Sequence, residues 1–296
     1  MKKLYKKFVM LLTLIMLVTA CAFSTGCADI KTLELKVRIY DYENSVALEG
    51  EDYVLTVDLY RHLAPKTVDA IIDLVEGGYY DNAIFYQRSG VSYDPSHSLK
   101  KILVGNLKYE DGKIVEQVAP EIEGEFERAG VVGNNLLNNK GYVGLMRSAY
   151  VSDGSYKTRS NAHNSGRGTM YLPVQEILDH DGHFCVFGKF DVEEENNKKV
   201  IDALMAVFDS ETGNDYFDEF KVYYTGEYDK EKANQNYGLT FNYVQDSEFN
   251  DIKDDIANLF EAEKGNYIAD YNPYKIYVPK VKEGKVGAQI VSANIR

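Results

Sequence analysis

The chain has 296 residues, of which 45% are hydrophobic and 27% are charged, and its formal net charge is −13 at pH 7. A chain of this length buries a proper core, either as one large domain or as two small ones. The acidic balance excludes nucleic acid as an expected partner, because phosphate binding needs clustered lysine and arginine.

The first 20 residues have the pattern of an export signal. Four lysines precede an apolar run from Phe8 to Leu17, and small residues follow that run. The run is shorter than the roughly 20 residues that a membrane-spanning helix needs. Removal of residues 1–20 takes away four of the 33 basic residues and leaves 29 against 46 acidic ones, a net charge of −17. Such a charge favours solubility and repels anionic surfaces.

The end of this signal, Val18 to Cys21, resembles the lipobox of bacterial lipoproteins. The resemblance implies that the Cys21 thiol is acylated and that the protein is lipid-anchored to the bacterial cell membrane, on its extracytoplasmic face. Cys27 is the alternative lipidation site, although Ser24 stands where the lipobox prefers Leu, Val or Ile. An ordinary cleaved signal, in which both cysteines are incidental, stays open as a second alternative.

After a small, polar tether over residues 21–32, the fold is expected to begin near Leu33. Alternating apolar residues predict strands over Leu35–Ile39 and Tyr53–Leu59. Pro65 then opens a stretch with helical apolar spacing that ends before Gly77, which predicts a helix.

Short apolar runs predict most of the remaining elements. They give strands over 83–86, 102–104, 141–146, 170–172 and 185–190, and a second helix over 198–207. Cys185 falls within one of these strands and leaves no partner for a disulfide framework. Many short strands with only two clear helices predict a mainly β fold, a closed antiparallel barrel capped by two helices.

The composition changes from about Asp209 onward. Residues 209–279 hold 16 acidic residues against 6 lysines, and ten of the 24 tyrosines. Helical spacing of Ile252, Ile256, Leu259 and Phe260 predicts one amphipathic helix that packs on the domain.

Three groups of segments resemble those of the cyclophilins, one class of peptidyl-prolyl cis-trans isomerases. They occur in the same order as in that family. They are Val54–Val68 with Gly78–Phe85, similar to the family's opening strand, helix and "GYYDGTIF" turn; Gly124–Phe126 with Gly141–Arg147, similar to "GxLSMAR"; and Asn164–Leu172 with Asp181–Lys189, similar to "NSGGSQFFI" and "DGxxTVFGK".

The resemblance implies how the domain is organised. The segment 287–295 is similar to the family's last strand. The cyclophilin-like domain is therefore expected to span 33–296, with the acidic, tyrosine-rich segment 209–279 as an insertion before that strand. A small separate C-terminal subdomain is the alternative.

The resemblance also implies a reaction that needs neither a metal nor a cofactor. A prolyl peptide bond rotates over a barrier of about 18–20 kcal/mol. A catalyst needs an apolar pocket for the proline ring and a hydrogen-bond donor aimed at the imide nitrogen, whose lone pair appears only in the twisted state. The expected partners are proline-containing polypeptides.

The donor is where this chain departs from the family. The family has arginine in the motif Phe-His-Arg, and the gapless match here reads Phe85-Tyr86-Gln87, with arginine one position late at Arg88. Because side chains alternate along a strand, Arg88 is expected to face away unless a bulge re-aims it. Gln87 and Arg88 are the two candidate catalytic residues, and a neutral donor predicts weakened activity.

The proline pocket is assigned to eight further positions by the same matching. The candidate substrate-binding residues are Phe85, Ile102, Val104, Met146, Arg147, Thr169, Tyr171 and Phe184. Val104 stands where the family has glutamine, and the matched segment "FMIQGGD" begins at Lys101. The apolar residues among them also fit plain packing in any barrel, and the arginines also fit a solvated surface.

Two functions remain open on these residues. One is a peptidyl-prolyl cis-trans isomerase that acts on X-Pro bonds of exported proteins at the membrane surface, with an activity that the departure at the donor weakens. The other is a catalytically degenerate module that binds proline-containing peptides or a surface partner. The run His180–His183 is interpreted as a turn, because no Cys or closely spaced carboxylate set completes a metal site.

Overall fold

The computed structural model describes most of the chain between residues 30 and 296. The described ranges are 30–39, 51–89, 101–111, 113–147, 151–152, 155–156, 163–208, 217–225, 240–249, 251–254, 274–280 and 287–296. Cys21, Cys27 and the export signal lie outside them, as do Ile256, Leu259 and Phe260 of the predicted third helix.

The described elements include fourteen strands and two α-helices with defined bounds. The strands are β1 Lys31–Ile39, β2 Glu51–Leu59, β3 Ala83–Ser89, β4 Lys101–Glu110, β5 Lys113–Glu116, β6 Tyr142–Leu145, β7 Val151–Ser152, β8 Ser155–Tyr156, β9 Met170–Pro173, β10 Cys185–Lys189, β11 Phe217–Thr225, β12 Thr240–Gln245, β13 Tyr274–Pro279 and β14 Ala288–Ile295. The helices are α1 Pro65–Glu76 and α2 Glu195–Phe208. Each strand and both helices predicted before residue 209 are confirmed. The strand predicted over 102–104 is longer than expected, since β4 continues to Glu110, and the other ends differ by a few residues.

Eight strands close into an antiparallel barrel. Their order around the ring is β3-β14-β1-β2-β10-β6-β9-β4, and the pairing of β4 with β3 completes the circle. Strand β14, from the end of the chain, lies between β1 and β3. The predicted fold class, a mainly β closed barrel with two helices, is confirmed.

The barrel interior is filled by the apolar side of each strand. In β1, Leu33, Leu35 and Val37 are buried and alternate with partly exposed residues, which is the pattern of a strand with one face on a core. Helix α1 adds Val68 and Ile71 to the same cluster. The helices therefore seal the core that the strands enclose.

A carboxylate from a distant segment holds the start of α1. The helix begins with Pro65, whose fixed φ suits the first turn, and its preceding residue Ala64 offers no side-chain cap. Glu125, only 4% exposed, instead accepts hydrogen bonds from the backbone N–H groups of Lys66 at 3.0 Å and Thr67 at 2.7 Å. These are two of the donors that a helix N-terminus leaves without an intrahelical partner.

The segment predicted as an acidic insertion contains a sheet that the sequence pattern did not predict. Strands β11, β12 and β13 pair antiparallel in the order β12-β11-β13, and β13 pairs with the end of β3. We call β11–β13 the inserted sheet. Helical residues 246–249 and 251–254 follow β12, so Ile252 of the predicted helix is helical. Within the described ranges, none of the helices has the length and apolar character that crossing a bilayer requires.

Candidate active site

Four of the predicted pocket residues come together on the outer face of the barrel. The rings of Tyr171 and Phe184 are 6.0 Å apart between centroids and nearly perpendicular, and Met146 packs against the same cluster. The guanidinium carbon of Arg147 lies 5.0 Å from the centroid of Phe184. These side chains come from β9, from the residue just before β10 and from the residues after β6, and these three strands are neighbours in the barrel.

Tyr171 is fixed as one wall of this cluster. Its side chain is fully buried, and its hydroxyl donates a hydrogen bond to Oδ1 of Asn138. The ring lies against the backbone of Gly144, where a Cβ atom would be only 2.2 Å from it. Burial raises the pKa of Tyr171 well above its ordinary value. The hydroxyl is therefore a neutral, locked group, and the ring supplies an apolar surface.

Arg147 places a cation at the edge of the same cluster. Its Nε donates to the backbone carbonyl of His183 at 2.7 Å, and its guanidinium stacks over Phe126 with 4.6 Å between Cζ and the ring centroid. Burial lowers the pKa of Arg147 to about 10, so the group still carries its charge at neutral pH. Contacts on both sides fix its orientation, as a backbone-binding arginine requires.

A second cation beside these aromatic rings was not among the predicted site residues. Lys101 Nζ lies 2.6 Å from Nε2 of His180 and 5.5 Å from the ring centroid of Tyr171. His180 is 2% exposed and stacks on Phe184 at 4.2 Å between centroids. A lysine ammonium can only donate, so this contact pairs a charged Lys101 with an accepting Nε2 atom of His180. The sequence feature that could have identified this site residue is Lys101 itself, because a charged residue stands where the matched family segment has an aromatic one.

Three predicted pocket residues do not lie on this face. Phe85, Ile102 and Val104 are fully buried in the barrel interior, among the core residues of the other strands. On β4 the outward neighbour is Leu103, which belongs to the Tyr171 cluster. Side-chain alternation explains this placement, since residues one position apart on a strand face opposite sides.

A bulge interrupts the pairing of β3 with β4 but leaves the outward-facing residues unchanged, because Leu103 and Leu107, on either side of it, belong to the same outer cluster. From Ala83 to Phe85, β3 advances two residues while the partner strand advances four, from Lys108 to Val104. Gly105 lies in this bulge at φ 131°, a conformation that other residues rarely adopt, and a Cβ there would be 2.6 Å from the Gly168 carbonyl. The gapless match could not include this change of register.

The register places the two candidate donors on opposite sides of β3. Ile84 and Tyr86 belong to the outer cluster, so alternation puts Arg88 on their side and Gln87 on the other. Pairing agrees, because Arg88 lies opposite Ile276, whose side chain is part of the outer cluster. Arg88 is exposed, and its charge opposes the rise in the pKa of Tyr86 that burial causes. Arg88 therefore lies on the side of the outer cluster by plain alternation, and the bulge, which precedes Phe85, does not re-aim it.

The remaining predicted contact residue, Thr169, precedes β9. Its backbone carbonyl accepts the N–H of Met146 at 2.8 Å, and its side chain is half-buried. Thr169 thus links the β6 end to β9 beside Tyr171, and it belongs to neither apolar cluster.

Neither metal nor thiol chemistry has residues arranged for it here. Among the residues that the structure describes, no group of three or more His, Cys, Asp or Glu side chains is placed to hold a metal ion. Cys185 is buried in β10, and burial raises its pKa to about 12, so its thiol stays protonated. What the described residues place on this face is an apolar surface and the guanidinium of Arg147.

An eight-stranded closed barrel with aromatic side chains and arginines on one outer face defines a cyclophilin-like protein. The family model "Cyclophilin type peptidyl-prolyl cis-trans isomerase/CLD" matches residues 46–219, more than half of the chain. The chain belongs to the cyclophilin-type peptidyl-prolyl cis-trans isomerase family. No curated protein matches it significantly.

Two solved structures of a Cryptosporidium parvum cyclophilin-type peptidyl-prolyl cis-trans isomerase are similar to the chain. The one determined in the presence of the dipeptide Ala-Pro is 19% identical, with a TM-score of 0.33, and the match covers 55% of this chain and 83% of that chain. The other is 13% identical, with a TM-score of 0.36, and the match covers 73% of this chain and 95% of that chain.

Proposed function

We propose that this protein is a weakened prolyl isomerase that acts on X-Pro bonds of exported polypeptides at the membrane surface. The observation that carries the proposal is the convergence of Tyr171, Phe184 and Arg147 on one outer face, beside the strand that holds Arg88. An apolar surface next to fixed cationic donors is what rotation about a prolyl bond requires, since the imide lone pair develops only in the transition state.

Arg88 is the better candidate for the donor to the imide nitrogen. It lies on the same side of β3 as Tyr86, whereas Gln87 faces the other side. A charged donor makes a hydrogen bond roughly twice as strong as a neutral one. The activity is weakened because Arg88 follows the family position by one residue and lies where β3 continues beyond the barrel to pair with β13.

The proposed location rests on the N-terminal sequence. The basic stretch, the short apolar run and the small residues before Cys21 are the features of a lipoprotein signal. An acyl chain on Cys21, with Cys27 as the alternative, would hold the acidic domain at the extracytoplasmic face of the membrane. Labelling with a radioactive fatty acid in an expressing bacterium tests this. Incorporation is expected to be lost in Cys21→Ser and kept in Cys27→Ser, and the reverse result would move the site.

A degenerate peptide-binding module is the second candidate, and burial of the pocket residues favours it. Tyr171 is 0% exposed and Phe184 is 3% exposed, so their rings contact the chain's own side chains rather than solvent. A groove in that state would bind a partner only after rearrangement, and it would need no turnover.

A protease-free prolyl isomerisation assay separates the two candidates. The full chain is compared with Arg88→Ala, Gln87→Ala and Gln87→Arg. We expect measurable activity that Arg88→Ala lowers by about 10²-fold, because a preorganised donor is lost, while Gln87→Ala keeps it. Background activity in the wild type that Gln87→Arg restores would instead identify a groove that lacks its donor.

A further inference from the structure

The inserted sheet is attached to the barrel beside the candidate donor. The last three residues of β3 pair with β13, so that Gln87 lies opposite Tyr277, Arg88 opposite Ile276 and Ser89 opposite Lys275. By comparison, β1 pairs with β2 along nine residues. The attachment is therefore short, and it lies at the end of β3 that carries Arg88.

One face of the inserted sheet completes the apolar cluster around Tyr171. Cross-strand partners share a face, so Phe220 of β11 and Ile276 of β13 point to the same side. The buried cluster joins residues of the inserted sheet to residues of the barrel's outer face: Phe220, Val222, Ile276 and Val278 with Ile84, Tyr86, Leu103, Leu107, Tyr171 and Phe184. None of these ten side chains is more than 9% exposed.

The opposite face of the inserted sheet is held by charges. Lys275 pairs with Glu219 at 2.7 Å and with Asp246 at 3.5 Å. On the apolar side, Tyr109 of β4 packs against the same buried cluster as Phe220 and Ile276. The sheet is thus amphipathic, with its apolar side against the barrel and its ion pairs facing away.

We propose that the inserted sheet is a built-in cover of the peptide groove, and that substrate reaches Tyr171 and the apolar face beside Arg88 only when β13 separates from β3. This inference rests on the proposed function, and it names how access to that site is controlled. The cover removes the outer face of β3 and β4 from solvent, and its latch is the short pairing of three residues. Opening would expose the apolar rings and free the side of β3 that carries Arg88.

A disulfide across the latch gives the first test. Ser89 and Lys275 are directly opposite, and cross-strand Cα separations of about 4.5–5.5 Å suit a disulfide. The full chain with Ser89→Cys and Lys275→Cys is assayed for prolyl isomerisation after oxidation and after reduction, beside the two single variants. We expect oxidation of the double variant to lower kcat/KM at least about tenfold and reduction to restore it, with no such change in the single variants. Equal isomerisation rates of the oxidised and reduced double variant would contradict the proposal that the inserted sheet covers the groove.

A matched pair of substitutions on β13 gives the second test. Ile276→Thr removes apolar contact with the barrel face but keeps a β-branched side chain, whereas Tyr277→Thr changes the neighbouring residue on the opposite side of the strand. Ile276→Thr is expected to raise kcat/KM about fivefold or more through a lower KM, and Tyr277→Thr to change it little. Equal effects of the two variants would contradict the proposal.

Thiol accessibility separates failure of the cover from failure of the isomerase proposal. Leu103→Cys, on the covered face, is labelled with a thiol reagent and followed by peptide mass mapping, alone and combined with Ile276→Thr. Faster labelling in the combined variant, without turnover in any variant, would support the proposal that the inserted sheet covers the groove and would contradict the proposal that the protein is an isomerase. The opposite result is turnover that is the same with the disulfide and with Ile276→Thr, together with unchanged labelling. It would support the isomerase proposal and contradict the proposal that the inserted sheet covers the groove.

Discussion

At the scale of single residues, Glu125 connects the family motif to the stability of the barrel. Its carboxylate receives two backbone N–H groups of α1, and Asn134 donates to its backbone carbonyl at 2.8 Å. The sequence marked Glu125 only as part of a family segment. The structure shows that it replaces the missing side-chain cap of the helix.

Replacement of Glu125 by glutamine is expected to destabilise the fold by about 2 kcal/mol, because an amide places a donor against an N–H group and removes the favourable charge at the helix N-terminus. The control is Glu123→Gln, whose ion pair with Lys66 is more than half exposed on both sides. That variant is expected to lose less than about 0.5 kcal/mol. Urea unfolding measures the free energy of unfolding of both variants. Similar losses in the two variants would show that the hydrogen bonds of Glu125 to the helix stabilise the fold no more than an exposed ion pair does.

His183 is expected to make stability depend on pH near neutrality. Burial and, to a smaller extent, the charges of Arg128 and Arg147 lower its pKa in the folded state. The unfolded chain therefore takes up a proton on this residue at higher pH than the folded chain does. The contribution of neutral His183 to the free energy of unfolding is fully present above the ordinary histidine pKa of about 6.5. This contribution is lost as the pH falls below that value.

Thermal unfolding between pH 8 and pH 5 measures this dependence. The midpoint is expected to fall with decreasing pH in the wild type, and to fall less steeply in His183→Gln. The exposed residue His62 provides the control. An equal slope in His183→Gln and His62→Gln would mean that other groups cause the dependence.

At the scale of elements, the sequence predicted the strands that bury one regular face. Leu33, Leu35 and Val37 alternate cleanly in β1, and Pro65 with Gly77 bounds α1, so pattern and structure agree. The same reasoning missed the inserted sheet, because its strands mix tyrosines and charges on both faces and the acidic composition masked their alternation. Their burial depends on contact with the barrel, which is not visible in the local pattern.

The candidate site was predictable by residue type but only partly by position. Tyr171, Phe184, Met146 and Arg147 follow gapless family segments, and the structure brings them together. Phe85, Ile102 and Val104 do not join them, because alternation along β3 and β4 puts these three side chains on the core side of the barrel. The family match assigned them by residue type, and it does not show which side of a strand each residue occupies.

The inserted sheet is expected to open more readily than the barrel. Strand β12 lies at the edge of the sheet, and β13 is joined to β3 by three residues, whereas β1 is paired along its length on both sides. Native-state amide exchange is expected to be faster in β11–β13 than in β1, by about 10²-fold or more. Equal protection would mean that the two parts open as one unit, and the cover would then have no separate motion.

At the scale of the whole molecule, the two ends of the fold meet. The backbone of Arg296 exchanges two hydrogen bonds with that of Thr32, at 2.8 and 3.0 Å. A permuted chain that links residue 296 to residue 30 by a short flexible linker, and begins at Lys113, the first residue of β5, is therefore expected to fold. Its unfolding midpoint should lie within about 4 °C of the wild-type value, since opening the β4–β5 hairpin costs roughly 1 kcal/mol. Loss of cooperative unfolding would show that the β4–β5 connection is required.

The position of β14 in the ring also governs when the protein can fold. Strand β1 lies near the start of the fold, and its neighbour on one side is formed by Ala288–Ile295. A chain that emerges from its N-terminus, whether from a ribosome or through a membrane channel, holds β1 with an unpaired edge until those residues appear. Folding is therefore completed only after emergence, and in that interval the exposed edge is open to aggregation or to a chaperone.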